Sequence, residues 1–167
     1  MARSIKRLLF VQTWGLGDVV MTTPALLAIR AAHPEVHITL CVGSPAAAVT
    51  FADPMLCDDV RHVRLSKHKP FASAASIASL RRGEYDAAVV ATRVTPLMPA
   101  ALRVLARIPV VAGDAVGPRR WGCTDWLPTD RRAHRVVMNT RIAALLVHGL
   151  AHMDTAFPVG SAAKAEA

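Results

Sequence analysis

Residues 8–33 read LLFVQTWGLGDVVMTTPALLAIRAAH. A continuous apolar run, Leu8 to Val11, enters a loop with Gly15 and Gly17. A helical pattern then follows from Pro24 and closes at Pro34. An apolar run without alternation suits a strand buried on both faces, as in a parallel sheet covered by helices. The first strand is expected over 5–13 and the first helix over 24–33. The loop between them carries Asp18, a carboxylate where a phosphate-binding loop would present neutral or positive groups.

The same alternation continues. VHITLCV (36–42), VRHVRL (60–65), YDAAVVAT (85–92) and PVVAGD (109–114) read as strands. Between them, SPAAAVTFA (44–52), FASAASIASLRRG (71–83) and PLMPAALRVLARI (96–108) read as helices. Ser44 is an expected N-cap with Pro45 at the first helical position, and Gly83 is expected past a helix end. Residues 115–133 read as a loop rich in Gly, Pro, Trp and Arg. HRVVMNTRIAALLVHGL (134–150) reads as a final helix. Strand–helix alternation with apolar strands implies an α/β fold, a Rossmann-like parallel sheet with helices on both faces. One domain is expected over 1–158, and residues 159–167 read as a flexible tail. Ligands of such sheets bind beyond the C-terminal strand ends, where the glycine loop lies.

Composition narrows the classes. The chain has 167 residues, 53% of them hydrophobic. No run of about 18 uncharged apolar residues exists to form a spanning helix. The N-terminal apolar run is too short for a secretory signal, so a cytoplasmic protein is expected. Cys41, Cys57 and Cys123 are scattered and odd in number, which signals neither a disulfide framework nor a zinc site; buried or inert thiols are expected. The net charge is +8, and Arg119, Arg120, Arg131, Arg132, Arg135 and Arg141 crowd one segment. Such a patch suits an anionic partner or a solvated surface. Nucleic acid is excluded by the scarcity of aromatics among the basic residues.

The loop fails as a generic nucleotide binder. A dinucleotide fingerprint would place glycine where Val20 stands, and the second strand does not end in the acidic residue that holds a ribose. No GxxxxGK[ST] is present. Gly15 and Gly17 are read as allowing a sharp turn and leaving room for a ligand. Asp18 falls at or just before a helix start, where the dipole favours it; on spacing alone it is an N-cap.

The segment GLGDVVMTTPALLAIRAAHPEVHITLCVG (15–43) resembles the opening of glycosyltransferase family 9, the heptosyltransferase-like enzymes of bacteria. Gly17-Asp18-Val19-Val20, Thr22-Thr23-Pro24-Ala25-Leu26, Arg30 and His33-Pro34 carry the resemblance. Residues 84–114 and the 134–150 segment, with His134, Val136 and Asn139, resemble later parts of the same half. The resemblance implies the N-terminal, acceptor-side half of a GT-B glycosyltransferase. Such an enzyme moves a sugar, for example a heptose, from a nucleotide-diphosphate sugar to a hydroxyl acceptor. It implies Asp18 as general base, taking the acceptor's proton. It implies no metal and no other cofactor, because helix dipoles and basic residues of the other half can hold the diphosphate. The donor site of that family lies in its C-terminal domain, so a complementary donor-binding domain or subunit is expected, as is an oligomer. The rival readings are a non-catalytic partner subunit of a separate glycosyltransferase and a small-ligand-binding Rossmann module without transfer.

Around Asp18, the expected acceptor-binding residues are Trp14, Gly15, Gly17, Thr22, Thr23, Arg93, Arg119, Arg120 and His134. Trp14 can stack on a sugar face. Arg93 follows the fourth strand and suits either an anionic acceptor group or solvent. Arg119 and Arg120 suit that acceptor or surface ion pairs. His134 suits a helix cap or the cleft. Trp121 and Trp126 are expected to pin the long loop. His148 and His152 have the spacing of a helical metal pair, but no accompanying glutamate, so no metal site is expected.

Overall fold

The computed structural model describes residues 4–66, 68–92, 94–115, 120–130 and 132–147. Arg93, Arg119, Arg131, His148, His152 and the expected tail lie outside them. Six strands, all parallel, form one sheet in the order β3-β2-β1-β4-β5-β6. They are β1 (Arg7–Gln12), β2 (His37–Val42), β3 (Asp59–His62), β4 (Ala87–Val90), β5 (Val110–Ala115) and β6 (Asp125–Pro128). The helices are α1 (Leu16–Val20), α2 (Thr23–Ala32), α3 (Pro45–Thr50), α4 (Pro70–Ala78), α5 (Met98–Val104) and α6 (Arg135–Ala144). The Rossmann-like parallel sheet expected from the alternation is the one observed.

β1 is the spine. Leu8, Leu9, Phe10 and Val11 are wholly buried, and Phe10 pairs with Leu40 of β2 on one side and Val89 of β4 on the other. A strand with helices on both faces has no solvent side, which is why its sequence does not alternate. From β1 the chain winds outward through β2 to β3, then returns to β4 on the opposite side of β1. Right-handed crossovers in opposite directions put the helices on opposite faces. Accordingly α2 packs with α6, while α4 packs with α5. The strand order reverses between β1 and β4, which opens a crevice at their C-terminal ends.

Three boundaries differ from the sequence reading. The helix expected from Pro24 is preceded by a separate short one, α1, and a turn at Met21–Thr22 divides them. After α4 the chain tightens into a 3₁₀ turn, Ser79–Gly83, and Glu84 rather than Gly83 takes the left-handed conformation (φ 48°). A side chain at Gly83 would collide with the Tyr85 ring, so that glycine serves close packing. Finally, the expected 115–133 loop contains β6. Its exposure alternates, as a half-buried edge strand requires, and Pro128 is tolerated there because an edge need not donate every N–H. The Thr124 hydroxyl accepts from the Val111 N–H at 3.0 Å and starts the pairing.

Away from the ligand edge, Arg30 of α2 donates to the Asp58 carboxylate at 2.7 Å and to the Val36 carbonyl at 3.1 Å. Asp58 also accepts from the Ile38 N–H. Partial burial opposes ionisation of Asp58, but Arg30 and Ile38 outweigh it and hold the carboxyl below its ordinary range. Arg30 therefore ties α2 to the starts of β2 and β3. Among the described residues no helix is long and apolar enough to cross a membrane.

The ends of β1 and β2 are pressed together at Gly43, where a Cβ would overlap the Thr13 carbonyl. Gly43→Ala is expected to destabilise the fold by about 1–3 kcal/mol, the cost of overpacking a rigid site. Urea unfolding measures it; an unchanged midpoint would show that the two strand ends can part freely.

Candidate functional site

The glycine loop sits over the crevice, held by buried amides from two directions. Gln12, at the end of β1, is 1% exposed. Its side-chain NH₂ donates to the Thr92 carbonyl past the end of β4, and its Oε1 accepts from the Trp14 N–H, both at 3.3 Å. Asn139 of α6 is fully buried. Its Oδ1 accepts from the Thr92 N–H at 3.0 Å, and its NH₂ donates to the Met21 carbonyl at 3.3 Å. The two amides join the end of β1, the end of β4 and the α1–α2 corner.

α1 starts with Gly15 as N-cap, whose carbonyl accepts from the Asp18 N–H at 2.9 Å and the Val19 N–H at 3.2 Å. Gly15 has φ −57°, an angle open to any residue, so the turn does not demand glycine there. What Gly15 and Gly17 share is empty space: a Cβ on either would meet nothing within 4 Å. The turn that the sequence reading assigned to the glycines therefore does not require one at position 15.

Asp18 is not the N-cap. It is the third residue of α1, and no side-chain cap bond forms there. Its carboxylate instead reaches across to α6, where Oδ1 accepts from Arg135 Nη1 at 2.5 Å. The Asp18 side chain is only 13% exposed, against 42% for Arg135. Among the described residues Oδ2 has no partner. The arrangement is an oriented carboxylate with one anchored oxygen and one oxygen available to a hydroxyl, at the switch-point crevice.

Thr22 and Thr23 build the corner below it. Thr22 is buried and donates to the Val19 carbonyl, while Thr23 donates to the Val20 carbonyl, at 2.7 and 2.9 Å. His134 is the α6 N-cap, its Nδ1 accepting from the Val136 N–H at 3.4 Å. Arg120 stacks over the Trp126 ring at 4.8 Å, beside the edge strand. Trp126 thus helps hold the long connection, but Trp121 does not: it is 82% exposed, and Gly122 packs against α5 in its place.

Trp14 is half-exposed and lines a cavity of about 550 Å³. That cavity lies beneath the ends of β1, β2 and β3, between α4 and α5. Leu65, Ile77, Met98 and Ala101 form much of its wall, and Trp14 and Gly15 are at its rim. No charged side chain lines it among the described residues.

Three residues escaped the sequence reading: Arg135 as the partner of Asp18, and the clamps Gln12 and Asn139. One signal was available. Arg135 and Asn139 are four apart on α6, so they share a face, and that face meets α1. No cluster of His, Cys, Asp or Glu able to hold an ion occurs among the described residues. Complete burial pushes the Cys41 thiol to about 12, and desolvation also raises Cys57. Both fit the expected inert thiols, whereas Cys123 is partly exposed.

No family model and no curated protein sequence matches the chain. Solved structures do. A glycosyl transferase family 9 protein from Veillonella parvula matches with TM-score 0.69 and 22% identity over 87% of this chain and 42% of that one. Escherichia coli heptosyltransferase WaaC matches in its complex with ADP (TM-score 0.68, 22% identity, 85% of this chain, 47% of that one). Its complex with ADP-2-deoxy-2-fluoro heptose gives 0.67, 21%, 84% and 48%. The chain therefore has the fold of one part of these GT-B glycosyltransferases and spans under half their length.

Proposed function

We propose that this chain is the acceptor-binding half of a GT-B glycosyltransferase, with Asp18 as general base. One observation carries the reading: a largely buried aspartate, not used as a helix cap, keeps one oxygen available at the switch point of a Rossmann-like sheet. In the reaction, an acceptor hydroxyl gives its proton to Asp18 Oδ2 as its oxygen bonds to the anomeric carbon of the donor sugar. The bond from that carbon to the diphosphate breaks, and the nucleoside diphosphate leaves with the electron pair. Arg135 fixes the carboxylate so that it need not reorganise during transfer. A sugar such as a heptose and a nucleotide-diphosphate donor fit the likeness to WaaC.

The donor's place in this scheme is a complementary domain docked over the strand ends. Exposed Trp14, Leu16 and Leu97 near that edge are surface such a domain would cover. The 167-residue chain alone is then expected to bind nucleotide-sugars more weakly than micromolar, that is, with less than about 8 kcal/mol of binding free energy. It is expected to transfer no sugar until a donor-binding domain is supplied. Calorimetry over a panel of nucleotide-sugars tests this. Micromolar or tighter binding by the chain alone would mean that the donor site is here, contrary to the proposal.

A further inference from the structure

The cavity between α4 and α5 has a wall whose serine hydroxyls are satisfied from within. Ser44 Oγ accepts from the Ala47 N–H at 3.1 Å, and Ser73 Oγ accepts from the Ser66 N–H at 2.9 Å. Ser66 Oγ accepts from the His68 N–H. The remaining surface comes largely from Trp14, Leu65, Ile77, Leu97, Met98 and Ala101. Thr13 Oγ1, on another lining residue, is buried without a hydrogen-bond partner among the described residues and does not open onto the cavity. A volume of about 550 Å³ is that of a small-molecule site.

Among the described residues, no basic side chain lines the cavity to make it an anion site. Arg120 lies on Trp126, Arg135 is paired with Asp18, and His134 caps α6. We infer that the cavity takes the apolar body of an uncharged alcohol. Identifying that alcohol as the acceptor rests on the acceptor-side reading, but the cavity's ligand class is tested without any transfer step.

The probe is N-phenyl-1-naphthylamine, a neutral dye that fluoresces in apolar sites, titrated into the full chain. Saturable binding of one dye per chain is expected. Decan-1-ol and 2-naphthaleneethanol are the neutral competitors, and whichever displaces the dye at lower concentration tells a chain-like body from a compact aryl one. Glucose 1-phosphate and inorganic phosphate are expected not to compete. Ala101→Phe, which fills the cavity, is expected to weaken the dye at least about tenfold, equivalent to about 1.4 kcal/mol. Leu97→Gln, at an exposed rim position where folding is not at stake, is expected to weaken it about three- to fivefold. No saturable binding, unaltered affinity in both variants, or displacement by glucose 1-phosphate but by neither alcohol would each overturn the assignment. Dye binding as expected in a chain that never transfers sugar, even with a donor domain, would sink the glycosyl-transfer reading and leave the cavity assignment standing.

Discussion

Asp18→Asn is expected to lower sugar transfer by about 10²–10⁴-fold, the range for loss of a positioned general base. The comparison is made with a donor-binding domain in place and donor at saturation. The substitution is nearly isosteric, and an amide oxygen can still accept from Arg135 Nη1, so the geometry of the pair survives. What is lost is the ability of the second oxygen to take a proton. The cost to folding is small, because Arg135 is 42% exposed and water can solvate its guanidinium; exposed pairs contribute about 0–1 kcal/mol. Donor affinity is expected to hold, since the donor sits on the complementary domain. If the chain is a non-catalytic partner, or if Asp18 only ties α1 to α6, turnover stays at the wild-type level while the melting temperature moves or not.

Asn139→Ala is expected to cost about 2–4 kcal/mol of stability. Its side chain is the partner of the buried Thr92 N–H and of the Met21 carbonyl. Each buried polar group left unpaired costs about 1–3 kcal/mol, and the carbonyl is the better placed of the two to find water. For a chain of this size each kcal/mol moves the melting temperature about 2–4 °C, so a fall of roughly 5–15 °C is expected by calorimetry. The effect reaches function as well. Asn139 holds the α1–α2 corner against the end of β4, so its loss frees the loop that presents Asp18. A variant that melts within about a degree of the wild type would show that the clamp carries no stability.

The central part of the fold was legible because burial on two faces writes itself into sequence as unbroken apolar runs, seen at Leu8–Val11 and Ala87–Val90. β6 was hidden because an edge strand needs only alternate burial, and its four residues lie among Gly, Pro and Arg. α1 was hidden because its five residues, Leu16–Val20, are too few to show a helical period beside the glycines. Thr22 and Thr23 make the turn by donating to carbonyls three residues back. The position of Asp18 was legible from the glycine loop, but its cap role was inferred from local spacing alone. Its partner is Arg135, 117 residues away, and such pairings follow from topology rather than neighbourhood. The anionic-acceptor expectation rested on Arg93, Arg119 and Arg120; of these only Arg120 lies among the described residues, and it stacks on Trp126.

The most direct measurement is a crystal structure of the chain, joined by its donor-binding domain and an unreactive donor analogue, with the neutral alcohol that competes best for the cavity. The account predicts the alcohol's body between α4 and α5, and its hydroxyl oxygen about 2.6–3.2 Å from Asp18 Oδ2, facing the donor's anomeric carbon. A hydroxyl held elsewhere, with Asp18 Oδ2 turned away from both acceptor and donor, would contradict it.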